Sequence, residues 1–198
     1  MTKEITVYYA LQSPWAYLGW QRFLELVREK RAVATFRPIK MAPVFAASGG
    51  LPLAKRPVQR QAYRMMELKR WREILSQPLT LEPAFFPVDE NLAALMVIAH
   101  GKEGGDMGAL SQAMLRAVWA EERDLADQET LAALAAEQGL DSRSLLTLAE
   151  TQEVADIYDA HTEVALEDGV FGVPTFKLGD ELFWGQDRLD LLARALDA

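Results

Sequence analysis

The chain opens on an alternation of Ile5, Val7 and Tyr9 with Glu4, Thr6 and Tyr8. A period of two is the signature of a half-buried strand, here predicted at about residues 4–10. Ser13-Pro14 then marks a helix start, because serine is a favoured N-cap and proline loses nothing at the first helical position. Leu18, Phe23, Leu26 and Val27 carry an apolar helical face to about Lys30, and Val33 to Phe36 reads as a second strand ended by Pro38. Strand, helix and strand at this spacing imply a parallel pair with a right-handed crossover.

From about Pro43 the pattern changes. Pro43, Pro52, Pro57 and the Gly49-Gly50 pair predict a loop or broken helix. Beyond it, alanine, leucine and glutamate dominate, and helices are predicted at about 58–76, 91–101, 105–121, 127–138, 142–149 and 151–168. Gly139 stands where a left-handed C-terminal cap belongs, and Asp127 and Asp141 are N-cap candidates. The end of the chain returns to mixed structure. Thr175 to Leu178 is a short strand after Pro174, Gly179-Asp180 a tight turn, and Glu181 to Trp184 the return strand. Gly185 breaks that strand, Asp187 is a candidate N-cap, and Leu189, Leu192 and Leu196 line a closing helix.

Composition narrows the chemistry. The 198 residues are half hydrophobic and a quarter charged, with a net charge of −8, two histidines and no cysteine. That is ample apolar material for a core. Without cysteine there is no disulfide framework, zinc ribbon, redox pair or cysteine nucleophile. Two well-separated histidines make a metal site improbable, so none is expected. The acidic balance argues against nucleic acid or an anionic membrane as the main partner. No stretch approaches about 18 uninterrupted apolar residues, and Met1-Thr2-Lys3-Glu4 leads straight into a strand, so a cytoplasmic protein is expected.

βαβ, a helical insertion and ββα are the order of the thioredoxin fold, whose redox motif sits at the start of the first helix and whose cis-proline precedes the third strand. Ser13-Pro14-Trp15-Ala16 and Gly172-Val173-Pro174-Thr175 occupy those two places. With Tyr17-Leu18-Gly19, Val170-Phe171, Phe176 and Phe183-Trp184-Gly185-Gln186-Asp187-Arg188-Leu189, and more weakly the Tyr63 to Trp71 stretch, the chain resembles one family over nearly its full length. This is the DsbA-like branch that holds bacterial 2-hydroxychromene-2-carboxylate isomerases and kappa-class glutathione transferases. The resemblance implies an α/β thioredoxin-like domain made of residues 1–42 and 169–198, discontinuous in sequence, with residues 43–168 as an inserted all-helical domain.

On its residues alone Ser13 needs no role beyond capping a helix. A helix start is also positive and rich in free N–H groups, so it suits an anion. The resemblance implies that Ser13 is the catalytic residue and that its hydroxyl bonds the sulfur of glutathione. A thiol with a pKa of about 8.5 becomes mostly thiolate at neutral pH once that value is depressed. The resemblance also makes the Val173-Pro174 bond cis, and implies that the backbone of Val173 pairs with glutathione like an added strand. The γ-glutamyl end would meet Trp184, Gly185, Gln186, Asp187 and Arg188, the amine suiting Asp187 and the carboxylate suiting exposed N–H groups. Pro14 and Trp15 complete the expected glutathione site. Arg188 could hold Asp187 or touch the ligand.

Other signals are plainer. His100 and His161 fall on helical patterns without catalytic partners. The basic stretch Lys55, Arg56, Arg60, Arg64, Lys69, Arg70 and Arg72 reads either as a solvated helix face or as cations for an anionic ligand. Helices 91–101 and 105–121 read as packing or as a homodimer face. Many relatives carry a lysine-alanine-threonine-glycine-asparagine run where this chain has Ala46-Ala47-Ser48-Gly49-Gly50, and some have asparagine where it has Asp89. Both departures lie on the substrate side. The expected reaction is glutathione-dependent isomerisation of 2-hydroxychromene-2-carboxylate, a small conjugated carboxylate. Alternatives are a kappa-like transferase and a non-catalytic glutathione or peptide binder. A disulfide oxidoreductase is excluded for want of cysteine.

Overall fold

A computed structural model describes residues 2–198. Strand β1 (Glu4–Tyr9) pairs in parallel with β2 (Val33–Pro38), and helix α1 (Pro14–Lys30) makes the crossover between them. On the other side of β1 lies β3 (Thr175–Leu178), antiparallel to it, followed by β4 (Glu181–Trp184) as its hairpin partner. The sheet order is β2-β1-β3-β4. Between β2 and β3 the chain forms α2 (Met41–Ser48), a 3₁₀ turn at Leu53–Lys55, α3 (Val58–Leu75), α4 (Asn91–Lys102), α5 (Met107–Trp119), α6 (Gln128–Glu137), α7 (Ser142–Ala149) and α8 (Gln152–Glu167). A 3₁₀ turn at Gln186–Arg188 leads into α9 (Leu189–Asp197). This is the thioredoxin-like α/β fold with a helical insertion.

Of the loop or broken helix expected after β2, the broken helix forms, as α2 and the 3₁₀ turn at Leu53–Lys55. Pro43 falls in the first turn of α2, where its missing N–H costs no bond, and Gly49 ends the helix with a φ of +73°. Asp127 and Asp141 cap α6 and α7, each accepting two backbone N–H groups, and Gly139 is left-handed at φ +75°.

The period-two face of β1 holds the core together. Ile5, Val7 and Tyr9 are buried beneath α1, whose Trp20 and Phe23 meet Tyr9 and Phe176 at ring distances of 4.5 and 4.8 Å. The Trp20 indole donates to the Gly108 carbonyl at 2.9 Å, tying α1 to α5. A side chain at Gly108 would meet the Phe36 ring, so glycine permits that close approach. Helices α4 and α5 bury Met96, Val97, Met114 and Trp119 within the chain itself. Among the described residues no helix is long and apolar enough to cross a membrane.

Candidate active site at the end of the sheet

Strand register brings the three motifs together. Tyr8 lies opposite Thr175, and Thr175 opposite Trp184, so the exits of β1 and β4 share one end of the sheet with the entry of β3. Ser13 follows β1, Val173-Pro174 precedes β3, and Gly185 to Arg188 follow β4. The Gly185 N–H donates to the Pro174 carbonyl at 2.9 Å, which joins the second and third motifs directly.

Ser13 is the N-cap of α1. It is 8% exposed, and its Oγ accepts the Ala16 N–H at 3.2 Å. The Ser13 N–H is spent on the Ala10 carbonyl, and Pro14 has none to offer. Two donors remain at this helix end: the Ser13 hydroxyl hydrogen and the Trp15 N–H, which no intrahelical carbonyl can reach. The first turn of α1 contains no acidic residue. A positive, desolvated helix end with free donors and no acid in its own first turn suits an external anion.

The Val173-Pro174 peptide is cis. Thr175 Oγ1 donates to the Gly172 carbonyl at 2.7 Å and braces the bend. The Val173 side chain packs toward the cluster of Tyr8, Ile39, Val44 and Val170, while no hydrogen bond among the described residues uses its N–H or C=O. What Val173 offers is therefore an unpaired strand edge. Phe171 and Trp184, 45% and 50% exposed, meet edge to face at 4.8 Å beside it, and Trp184 lies against Gly172.

The third motif divides. Gln186 is 2% exposed, and its Oε1 accepts from Arg22 Nη1 at 2.9 Å, so its side chain docks the 3₁₀ turn onto α1. A Cβ on Gly19 would stand 2.7 Å from Cβ of Gln186, which explains the glycine in the first motif. Asp187 does not cap α9. The N-cap position belongs to Arg188, without a side-chain cap bond, because Gly185 at φ +104° starts a 3₁₀ turn one residue earlier. The Asp187 carboxylate instead pairs with Arg188 at 3.2 Å, both half exposed at the rim.

Two residues of this site had no sequence signal. Gln12, just before Ser13, donates its backbone N–H and its side-chain amide to the two carboxylate oxygens of Glu90, both at 2.9 Å. Burial pushes the Glu90 carboxyl up to about 7, Asp89 adds to the rise, and the bonds from Gln12 and Leu11 oppose it. Asp89 itself accepts the Asn91 N–H at 2.9 Å and opens α4. The basic stretch does not act as one surface. Arg70 pairs with Glu67 in solvent, Arg56 donates to the Leu51 carbonyl at 2.8 Å, and Arg64 is half buried.

A thioredoxin-type sheet with a serine at the redox position and a cis-proline opposite it defines the class: the chain belongs to the DSBA-like thioredoxin domain family, whose model matches residues 4–197. Within that family it is similar to the 2-hydroxychromene-2-carboxylate isomerase of Sphingobium xenophagum, 32% identical over 193 residues that make up 97% of each chain. That kinship lies in the isomerase branch to which the three motifs point. A solved structure of 2-hydroxychromene-2-carboxylate isomerase superposes with a TM-score of 0.86 at 28% identity, covering 98% of this chain and 94% of the other. Glutathione S-transferase kappa 1 of Rattus norvegicus is 21% identical over 98% of this chain and 91% of its own.

Proposed function

We propose that the protein is a glutathione-dependent isomerase of 2-hydroxychromene-2-carboxylate, yielding trans-o-hydroxybenzylidenepyruvate. The observation that carries this reading is the buried Ser13 at the start of α1, with two free donors and no acidic residue in the first turn, in a chain about a third identical to an isomerase of that name. Glutathione would lie along the Val173 backbone, with its sulfur at Ser13 and Trp15 and its γ-glutamyl end toward Trp184, Gly185 and the Asp187–Arg188 pair. Gln186 would support that end through its backbone, since its side chain is committed to Arg22.

Ser13 and the Trp15 N–H stabilise the thiolate more than the thiol, which lowers the thiol pKa. The hemiketal ring of the substrate opens first, its ring C–O bond breaking as the hydroxyl proton passes to the phenol oxygen; the thiolate then adds to the resulting cis enone, forming one C–S bond and leaving a single bond about which rotation is easy. Breaking the C–S bond restores the alkene in the other geometry and returns glutathione unchanged. The cytoplasm, which keeps glutathione reduced, is the compartment this reading requires.

The test is absorbance of the product in the presence and absence of glutathione, with free thiol measured alongside. Turnover that needs glutathione without consuming it is expected. The second reading, a kappa-like transferase, is favoured by the similarity to the rat enzyme, and loss of free thiol in step with turnover would establish it. Saturable glutathione binding with no turnover of any conjugated substrate would leave a binder.

A further inference from the structure

Arg64 lies half buried on α3, and its guanidinium carbon stands 5.2 Å from the Phe86 ring centre and 5.9 Å from the Trp119 ring centre. Its Nη1 meets only the sulfur of Met65, at 3.8 Å, and its Nη2 is buried with no hydrogen-bond partner among the described residues. Glu67, the acid one turn along the helix, is held by Arg70. The charge near Arg64 is another cation, Arg56, and behind it Arg60. Trp119 is fully buried beside Arg64, and its Nε1 is likewise without a partner.

Such an arrangement is costly in isolation. Burial and the charge of Arg56 pull the Arg64 guanidinium down to about 10. Aromatic faces attract the plane of a guanidinium but leave its in-plane N–H edge unsatisfied. An edge of parallel N–H donors beside flat rings matches a planar carboxylate, whose two oxygens accept in the same plane. Phe86 belongs to the Phe86-Pro87-Val88-Asp89 run, which leads into Glu90 and through it to Gln12 beside Ser13, and Arg56 rests over the Phe45 ring at 6.0 Å.

We propose that Arg64 is a binding site for the carboxylate of a flat conjugated organic acid. The identification of that acid as the isomerase substrate rests on the function proposed above; the carboxylate site itself does not. Like-charged Arg56 and Arg60 raise the local positive potential and draw the acid in.

The experiment titrates salicylate, the neutral salicylamide and glutathione into the full chain and into Arg64→Met and Arg64→Lys. Salicylate affinity should fall roughly tenfold or more in Arg64→Met, as expected for a lost hydrogen bond to a charged group. It should be partly kept in Arg64→Lys, while glutathione affinity holds. Salicylamide should not distinguish the three proteins. Unliganded Arg64→Met should melt at or above the wild-type temperature, because an unpaired buried charge has been removed. Equal salicylate affinity in wild type and Arg64→Met overturns the proposal. So does a loss confined to glutathione, which would give Arg64 to the tripeptide's own carboxylate, and so does a clear drop in melting temperature, which would mark a structural cation. Failure of the isomerase reading looks different: no turnover, with the preference for salicylate over salicylamide intact.

Discussion

The helix start at Ser13 and the surroundings of Arg64 are built by opposite means. At Ser13 the polar groups are backbone donors and one hydroxyl, each placed by a local rule: an N-cap, a proline at the first helical position, a cis-proline bend and a glycine close approach. At Arg64 the guanidinium has no oxygen acceptor among the described residues and lies beside two rings that come from other parts of the chain. The first arrangement is held in shape by its own bonds, among them Ala16 N–H to Ser13 and Ser13 N–H to Ala10, and leaves two uncharged donors free. The second carries an unbalanced charge that an anion would relieve. Under the two proposals above, the first region would be a fixed seat for glutathione and the second a charge-selective seat for the acid.

The sharpest way to break that contrast is Ser13→Ala. It should remove the hydroxyl donor to the glutathione sulfur and reduce thiolate formation and turnover on the order of 10- to 100-fold, the scale of one lost bond to a charge. The cap loss should cost only about 0.5–2 kcal/mol of stability. Ultraviolet absorbance of bound thiolate, read beside a denaturant melt, separates the two effects. An unchanged thiolate signal would remove Ser13 from the chemistry and leave it a cap.

Gly19→Ala tests the support of the other glutathione end. The new Cβ would collide with Gln186, and relieving that overlap should cost about 1–3 kcal/mol. Because the 3₁₀ turn must shift, glutathione affinity should weaken while salicylate affinity stays. Calorimetry with both ligands decides; equal weakening of the two would mean that the ends are not independent.

This contrast also explains what could be read from residues alone. The β1 alternation, the caps at Asp127 and Asp141 and the turn at Gly179 are local, so they show in the sequence. The cis bend at Val173-Pro174 came through the resemblance, since an X–Pro pair by itself favours trans. Local rules stopped short at two points: the prolines allowed either a loop or a broken helix, and the tolerated first-turn position of Pro43 gives the helix; Asp187 looked like a cap, although Gly185 turns the chain before it. The pairing of Gln12 with Glu90 spans 78 residues, and the position of Arg64 against Phe86 and Trp119 depends on three separate segments. Periodicity marks which face of a helix is buried; it does not say that a buried charge lacks a partner.

A pH-dependent effect probes the link between the halves. Glu90 holds Gln12, and so the approach to Ser13, from the start of α4. Its carboxyl is raised from an ordinary 4.5 to about 7 in the folded chain, so between those values the folded state binds more protons than the unfolded one. The contribution of this group to stability is then greatest below about pH 4.5, is lost as pH rises toward 7, and is flat above it. Glu90→Gln removes the titrating group while keeping an oxygen to accept the Gln12 N–H. The difference in melting temperature between wild type and Glu90→Gln should therefore shift against the wild type from pH 5 to pH 7.5, at roughly 1.4 kcal/mol per unit of displaced pKa at most. If glutathione affinity follows the same pH course in the wild type and loses it in Glu90→Gln, the carboxylate sets the Ser13 loop. A difference that stays constant with pH would mean that Glu90 only fills space.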